Sequence, residues 1–196
     1  ASQCNAAEQR VTMMVDINKF RLEGKVALVT GAGAGIGRGI ARVFASAGAA
    51  VVVTDLHLDS AQEVVKEITE AGGRGMAATC NVAQEPDLEA VVRTAVDSFG
   101  RLDVLVNNAG VMALPQRRET ADGFEMHFAT NYLGHFALTA RLLPLLRHGG
   151  AARIINVSSL AATLKSINLA DLQSQNAYVP FQIYGMTKLT MLMFAL

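Results

Sequence analysis

Short apolar runs alternate along the chain with longer stretches of helical spacing. Val26–Val29 is a continuous apolar run, which predicts a strand covered on both faces. Val51–Asp55, residues 75–79, Leu102–Val106 and Arg153–Val157 read as four more strands. Between them, helices are predicted over Ile36–Ala47, over residues 59–71 with Asp59 as cap, and over Asp87–Phe99. A long helical stretch over Ala121–Leu146 follows, and a last helix starts near Phe181. Gly48, Gly72, Gly73 and Gly100 fall where helices should stop. Strands and helices alternating at this interval imply right-handed crossovers, hence one α/β domain with a doubly wound parallel sheet. A polar insertion over residues 163–177 interrupts the pattern before the last helix. Met191–Leu196 is still apolar and helical, without a cap or glycine stop, so the core is expected to continue past the last residue. Residues 1–19 read as an N-terminal extension to a domain over residues 20–196.

Composition narrows the function classes. The 196 residues are 51 % hydrophobic and 17 % charged, enough for one substantial core. Lysine plus arginine equal aspartate plus glutamate at 17 each, so no charge excess argues for nucleic acid or an anionic membrane surface. Cys4 and Cys80 form no disulfide framework, and neither they nor the four histidines show metal-ligand spacing. A reducing, cytoplasmic setting is expected, with no metal. The N-terminus does not read as a signal peptide, and no run approaches the ~18 apolar residues of a membrane span.

Chemistry enters at the turn after the first strand. Gly31, Gly35 and Gly37 let the backbone turn sharply and let a pyrophosphate approach the main chain. The helix opening near Ile36 aims its free N–H groups at that anion. Asp55 ends the second strand about twenty residues on, where a carboxylate can hold the adenosine ribose hydroxyls. A 2′-phosphate there would meet a like charge, and Ala34 and Leu56 offer no cation, so NAD is favoured over NADP; Arg38 is the counter-indication. Tyr184 and Lys188 stand four apart, on one helix face. A cation beside a phenol, which titrates near pH ~10 when free, favours the phenolate and suits it to proton exchange with an alcohol or carbonyl. His135, in an otherwise apolar helix, reads as a satisfied core histidine.

Thr30-Gly-Ala-Gly-Ala-Gly-Ile-Gly37, Asn107-Asn-Ala-Gly110, Asn131, Ser158-Ser159 and Tyr184-xxx-Lys188 occur in that order. The set resembles the short-chain dehydrogenase/reductase family, from about Phe20 to the last residue. Up to Gly110 the chain is most similar to bacterial hydroxysteroid dehydrogenases; from Val111 onward it looks more like the retinol-dehydrogenase branch. The resemblance implies a Rossmann-type fold and hydride transfer between a nicotinamide and a secondary alcohol or ketone, steroid-like or retinoid-like. It implies Tyr184 as proton donor and acceptor, Lys188 as its partner on the nicotinamide ribose, Ser159 on the substrate oxygen and Asn131 holding a relay water. Gly31, Gly33, Gly35, Ile36 and Gly37 would form the phosphate turn, Asn81 and Val82 would frame adenine, and Asn107, Ala109 and Gly110 would line the adenosine side and brace the central strands. A dimer or tetramer is the expected assembly. Two departures stand out: Asn81 replaces the usual aspartate, and the Ser159–Tyr184 interval is long. Members also continue into two further strands and a substrate-covering segment, without which the fifth strand would be an open edge. The competing reading is a catalytically inactive NAD-binding or interaction fragment.

Overall fold

A computed structural model describes residues 20–196 apart from Gly149 and Lys165; the N-terminal extension lies outside the described residues. Five strands form one parallel sheet: β1 (Val26–Val29), β2 (Ala50–Asp55), β3 (Arg74–Thr79), β4 (Val104–Asn107) and β5 (Arg153–Asn156), in the spatial order β3-β2-β1-β4-β5. Leu28 is paired in register with Val52 on one side and Leu105 on the other. Helices α1 (Gly35–Ser46), α2 (Leu58–Glu70) and α3 (Glu85–Phe99) connect the first four strands. After β4 come a one-turn helix α4 (Met126–Phe128), a wide π-turn (Ala129–Leu133) and α5 (Gly134–His148); α6 (Pro180–Met193) follows β5.

The uninterrupted apolar character of β1, β2 and β4 has a direct cause, because each of these strands is covered twice. Val26, Leu28, Ala50, Val52 and Leu105 face one layer, where Leu88, Val91 and Ala95 of α3 meet Leu138, Leu142 and Leu146 of α5. Their neighbours Ala27, Val29, Val51, Val53, Val104 and Val106 face the other, against Ala41 and Ala45 of α1 and Ala61, Val64 and Ile68 of α2. Side chains alternate strictly between the two layers, as strand geometry requires. The expected doubly wound parallel sheet in a single domain is what the chain forms. β5 lies at one edge of the described sheet, with Ile154 and Ile155 exposed.

At the opposite end from the site, Asp103 is almost fully buried and ties strands together. Its carboxylate accepts from the Val26 backbone N–H at 2.9 Å and from Arg101 at 2.6 and 2.9 Å, with the Lys25 ammonium at 3.3 Å. Burial opposes its ionisation, but these donors outweigh burial and hold the carboxyl below the usual carboxylate range.

Three expectations are corrected. Asp59 lies within the first turn of α2, and His57 occupies the cap position without a side-chain bond. α3 begins at Glu85, two residues early, because Pro86 fits a helix's first turn. The helical stretch expected from Ala121 starts only at Met126. Residues 119–125 instead make a small bridged turn, and Glu125 caps the helix by accepting the Phe128 N–H at 2.8 Å.

Candidate functional site

The chain leaves β1 in one direction to build β2 and β3, then returns to place β4 on the other side of β1. The crevice beyond the carboxyl ends of β1 and β4 is therefore the topological switch point, where open α/β sheets bind ligands. The glycine turn starts there. Thr30 N–H bonds the Val106 carbonyl of β4, and Ala32 N–H bonds Thr54 of β2, so the turn is anchored to both neighbours. At Gly37 a Cβ would stand 2.3 Å from the Gly31 carbonyl oxygen, which is why the first turn of α1 can pack down on the loop only with glycine here. Around Gly35 a Cβ would meet nothing within 4 Å, and the outward side chain of Ile36 is exposed. The α1 N-terminus has no side-chain cap at Ala34 and no acid in its first turn, which leaves its N–H groups for an external anion.

Asp55 is oriented by its backbone surroundings. Its carboxylate accepts from Gly33 N–H at 2.9 Å and from His57 N–H at 3.1 Å. It borders a cleft of about 540 Å³ that is also lined by Gly31, Asn81, Val82, Asn108, Ala109 and Gly110. The Asn81 side-chain oxygen accepts the Ala83 N–H at 3.1 Å, and the Asn81 N–H bonds Asp87 at 2.8 Å, so protein groups alone hold this turn. Asn107 stands apart from the cleft-lining residues. Almost fully buried, it donates to Asn156 of β5 at 2.8 Å and to Thr139 of α5 at 3.1 Å, a brace between strand and helix.

The second half of the site is built by the π-turn and α6. In the wide turn, Gly134 N–H reaches back five residues to Ala129 O, and Asn131 is fully buried within it. The Asn131 side chain is bonded at both of its polar atoms: Oδ1 accepts Val111 N–H at 2.8 Å, while Nδ2 donates to Val111 O and to Thr187 Oγ1, both at 3.0 Å. A Cβ on Gly110 would lie 3.0 Å from Asn131 Oδ1 and 3.6 Å from Lys188 Nζ, so the loop after β4, the π-turn and α6 converge at one point. Lys188 donates to Val157 O at 3.0 Å, and its Nζ lies 5.8 Å from the Tyr184 ring centroid. Burial pushes the Lys188 ammonium below its ordinary pKa. Tyr184 is half-buried beside it.

The two serines after β5 differ in their engagement. Ser158 donates its hydroxyl to the Lys188 carbonyl at 2.8 Å, fixing the segment to α6. Ser159 only accepts, from Ala161 N–H at 3.2 Å, and keeps its proton to give. The 163–177 insertion packs back on the same end. Gln173 accepts the Glu125 N–H at 2.7 Å and Arg117 bonds the Gln173 carbonyl at 3.0 Å, while Tyr178 donates to Leu114 O at 2.8 Å.

Several residues that hold this arrangement escaped the sequence reading. Thr30 accepts both Asn108 and Ala109 N–H groups, at 2.9 and 3.0 Å, and Thr187 joins Asn131 to the Tyr184 carbonyl. His135 lies between Thr30 and Asn131, bonded on both sides as the core-histidine reading expects. No local spacing signals these partners.

A profile described as short chain dehydrogenase matches residues 25–194. The chain is 39 % identical to the 7alpha-hydroxysteroid dehydrogenase of Escherichia coli K12, covering 84 % of this chain and 64 % of that protein. A solved 7alpha-hydroxysteroid dehydrogenase complexed with NADH and 7-oxo glycochenodeoxycholic acid superposes with a TM-score of 0.75 at 32 % identity, over 92 % of this chain and 66 % of that one. Human retinol dehydrogenase 11 is 38 % identical, over 89 % of this chain and 55 % of its own length. A metagenomic short-chain oxidoreductase in complex with NADP gives a TM-score of 0.73 at 30 % identity, over 88 % and 74 % of the two chains. The curated relatives are matched over 53–64 % of their own length. Both the hydroxysteroid and the retinol branches are thus represented, as the two halves of the sequence implied. The chain belongs to the short-chain dehydrogenase family.

Proposed function

We propose that the protein is an NAD-dependent oxidoreductase that interconverts a secondary alcohol and a ketone, steroid-like or retinoid-like. The observation that carries this reading is the convergence of Gly110, Asn131 and Lys188 beside Tyr184, at the switch-point end of the sheet. The residues present fit a dinucleotide. An uncapped helix N-terminus would take the pyrophosphate, and the oriented Asp55 carboxylate would take the adenosine ribose in the adjoining cleft. A bound nicotinamide would supply the hydride acceptor or donor. Tyr184 would pass the proton to or from the substrate oxygen, with Ser159 donating a hydrogen bond to that oxygen. Lys188, held by Val157 and stripped of water, would present its charge to the phenol and to the nicotinamide ribose. Asn131 is assigned to positioning, because each of its side-chain bonds goes to protein.

Two observations favour NAD over NADP. The Asp55 carboxylate would set a like charge against a 2′-phosphate, and Arg38 is engaged elsewhere. The Arg38 guanidinium pairs with Glu67, nine residues beyond the α2 start that adjoins Asp55. The domain assignment to residues 20–196, a cytoplasmic setting and a homo-oligomeric assembly complete the proposal. Calorimetric titration with NAD and NADP, run beside a panel of secondary alcohols, tests it. Tyr184→Phe should abolish turnover while leaving NAD affinity within about twofold. Unchanged turnover in that variant removes the mechanism, and binding without turnover in the wild type marks an inactive nucleotide-binding chain.

A further inference from the structure

We propose that His135 is a positioning residue that ties the dinucleotide turn to Asn131 and, through it, to the helix carrying Tyr184. The inference rests on the oxidoreductase reading and adds a residue that does not touch cofactor or substrate in it. His135 is 1 % exposed, on the first turn of α5. Its Nε2 lies 3.0 Å from Thr30 Oγ1 and its Nδ1 lies 3.2 Å from the Asn131 carbonyl oxygen.

Hydrogen-bond accounting points to one tautomer. Thr30 Oγ1 already accepts two N–H groups, from Asn108 at 2.9 Å and Ala109 at 3.0 Å, which uses both lone pairs. Its own proton must go outward. The Val106 carbonyl is the alternative acceptor, but at 3.3 Å it is farther than His135 Nε2 at 3.0 Å. The hydroxyl therefore donates to His135 Nε2. A neutral ring that accepts at Nε2 carries its proton on Nδ1, and that proton meets the Asn131 carbonyl. The opposite tautomer would offer Thr30 a third donor and set two lone pairs against each other at Asn131. Burial keeps the ring neutral, with its pKa lowered to about 4 and the nearby Lys188 charge acting in the same direction.

A continuous directed chain results. It runs from the Asn108 and Ala109 amides through Thr30 and His135 to the Asn131 backbone, then from the Asn131 side chain through Thr187 to the Tyr184 carbonyl. The link falls where it is needed, because the π-turn loosens the regular helical ladder around Asn131. The ring supplies the bond that holds this carbonyl, and with it the Asn131 amide clamped on Val111 and Thr187.

Two variants of the full-length protein separate the two ends of the ring. His135→Gln places an amide where Nε2 stands and nothing beside Asn131; His135→Asn places an amide where Nδ1 stands and restores that bond. NADH fluorescence titration and alcohol turnover are read for both. His135→Gln should lower kcat by about tenfold or more with the NADH Kd within about twofold, and His135→Asn should recover kcat to within about threefold of wild type. Equal kcat in the two variants overturns the proposal, whether both are low or both unimpaired. Histidine ¹⁵N correlation spectra of the wild type give a readout independent of variant folding: the Nδ1–H tautomer supports the chain of bonds, and the Nε2–H tautomer overturns it. A wild type that binds NADH yet turns over no alcohol overturns the oxidoreductase reading and this role with it. A wild type that turns over while the variants fail to differ overturns only the role of His135.

Discussion

Asp55 shows how much one carboxylate can do when the backbone holds it. Its two oxygens accept from Gly33 and His57 N–H groups, so it is oriented before a ribose arrives and loses little entropy on binding. Charge-assisted hydrogen bonds contribute about 1.5–3 kcal/mol each. Asp55→Ala should therefore weaken NAD by about tenfold or more while changing NADP affinity far less, which paired calorimetric titrations would measure. An equal loss for both cofactors would mean that the carboxylate only braces the turn. Asp55 was legible in the sequence because its signal is local: an acid at a strand end, a fixed interval past a glycine turn. The same holds for Tyr184 and Lys188, one helical turn apart. Thr30 and His135 were not legible as partners, since 105 residues separate them and nothing in either's neighbourhood announces the other.

At the scale of elements, periodicity located all five strands and the helices between them within a few residues, but it missed the break inside the long helix. A π-turn takes up one extra residue in a single wide turn, so the apolar pattern slips by only one position there, a shift that a stretch this apolar does not display. Its cause is tertiary. Gly134 passes so near the loop after β3 that a Cβ would stand 2.0 Å from the Val82 carbonyl oxygen. Gly134→Ala should lower stability in urea denaturation by about 2–3 kcal/mol, because two backbones must separate. It should also weaken NAD, since Val82 lines the cleft. A second inter-element contact bears on cofactor choice. Glu67 of α2 holds Arg38 of α1, and Arg42 adds a contact to the same carboxylate at 3.5 Å. Glu67→Gln should release Arg38 and raise NADP affinity by about threefold, the scale of a half-exposed ion pair, with a stability change under about 1 kcal/mol. Unaltered NADP affinity would show that Arg38 cannot reach the ribose even when free.

For the whole molecule, alternation of elements implied a parallel sheet with helices on both faces, and its strand order followed only from the resemblance to a Rossmann-type fold. Alternation of elements dictates crossovers; it does not say on which side of β1 the fourth strand returns. That return creates the site and also buries His135 between its two halves, which makes global stability depend on pH. The His135 pKa falls from 6.5 in the open chain to about 4 in the fold. Between those values the unfolded chain binds the extra proton, so the contribution is complete above pH 6.5 and is lost as pH falls toward 4. One fully buried group with this shift corresponds to about 3 kcal/mol over the window. Asp103 and Glu125 act in the same sense lower down. Their carboxyls stay ionised below the usual range despite burial, Asp103 through Arg101, the Val26 N–H and Lys25, and Glu125 through His127 and the Phe128 N–H. Their contribution is present above the ordinary carboxylate pKa and disappears as acid protonates them in the fold. Urea midpoints measured from pH 8 to pH 3 should therefore descend in two stages. His135→Gln should flatten the first stage and leave the second, while Asp103→Asn should lower the midpoint at neutral pH and shrink the second stage alone. A single descent confined to the carboxylate range in the wild type would show that His135 takes up its proton without opening the fold.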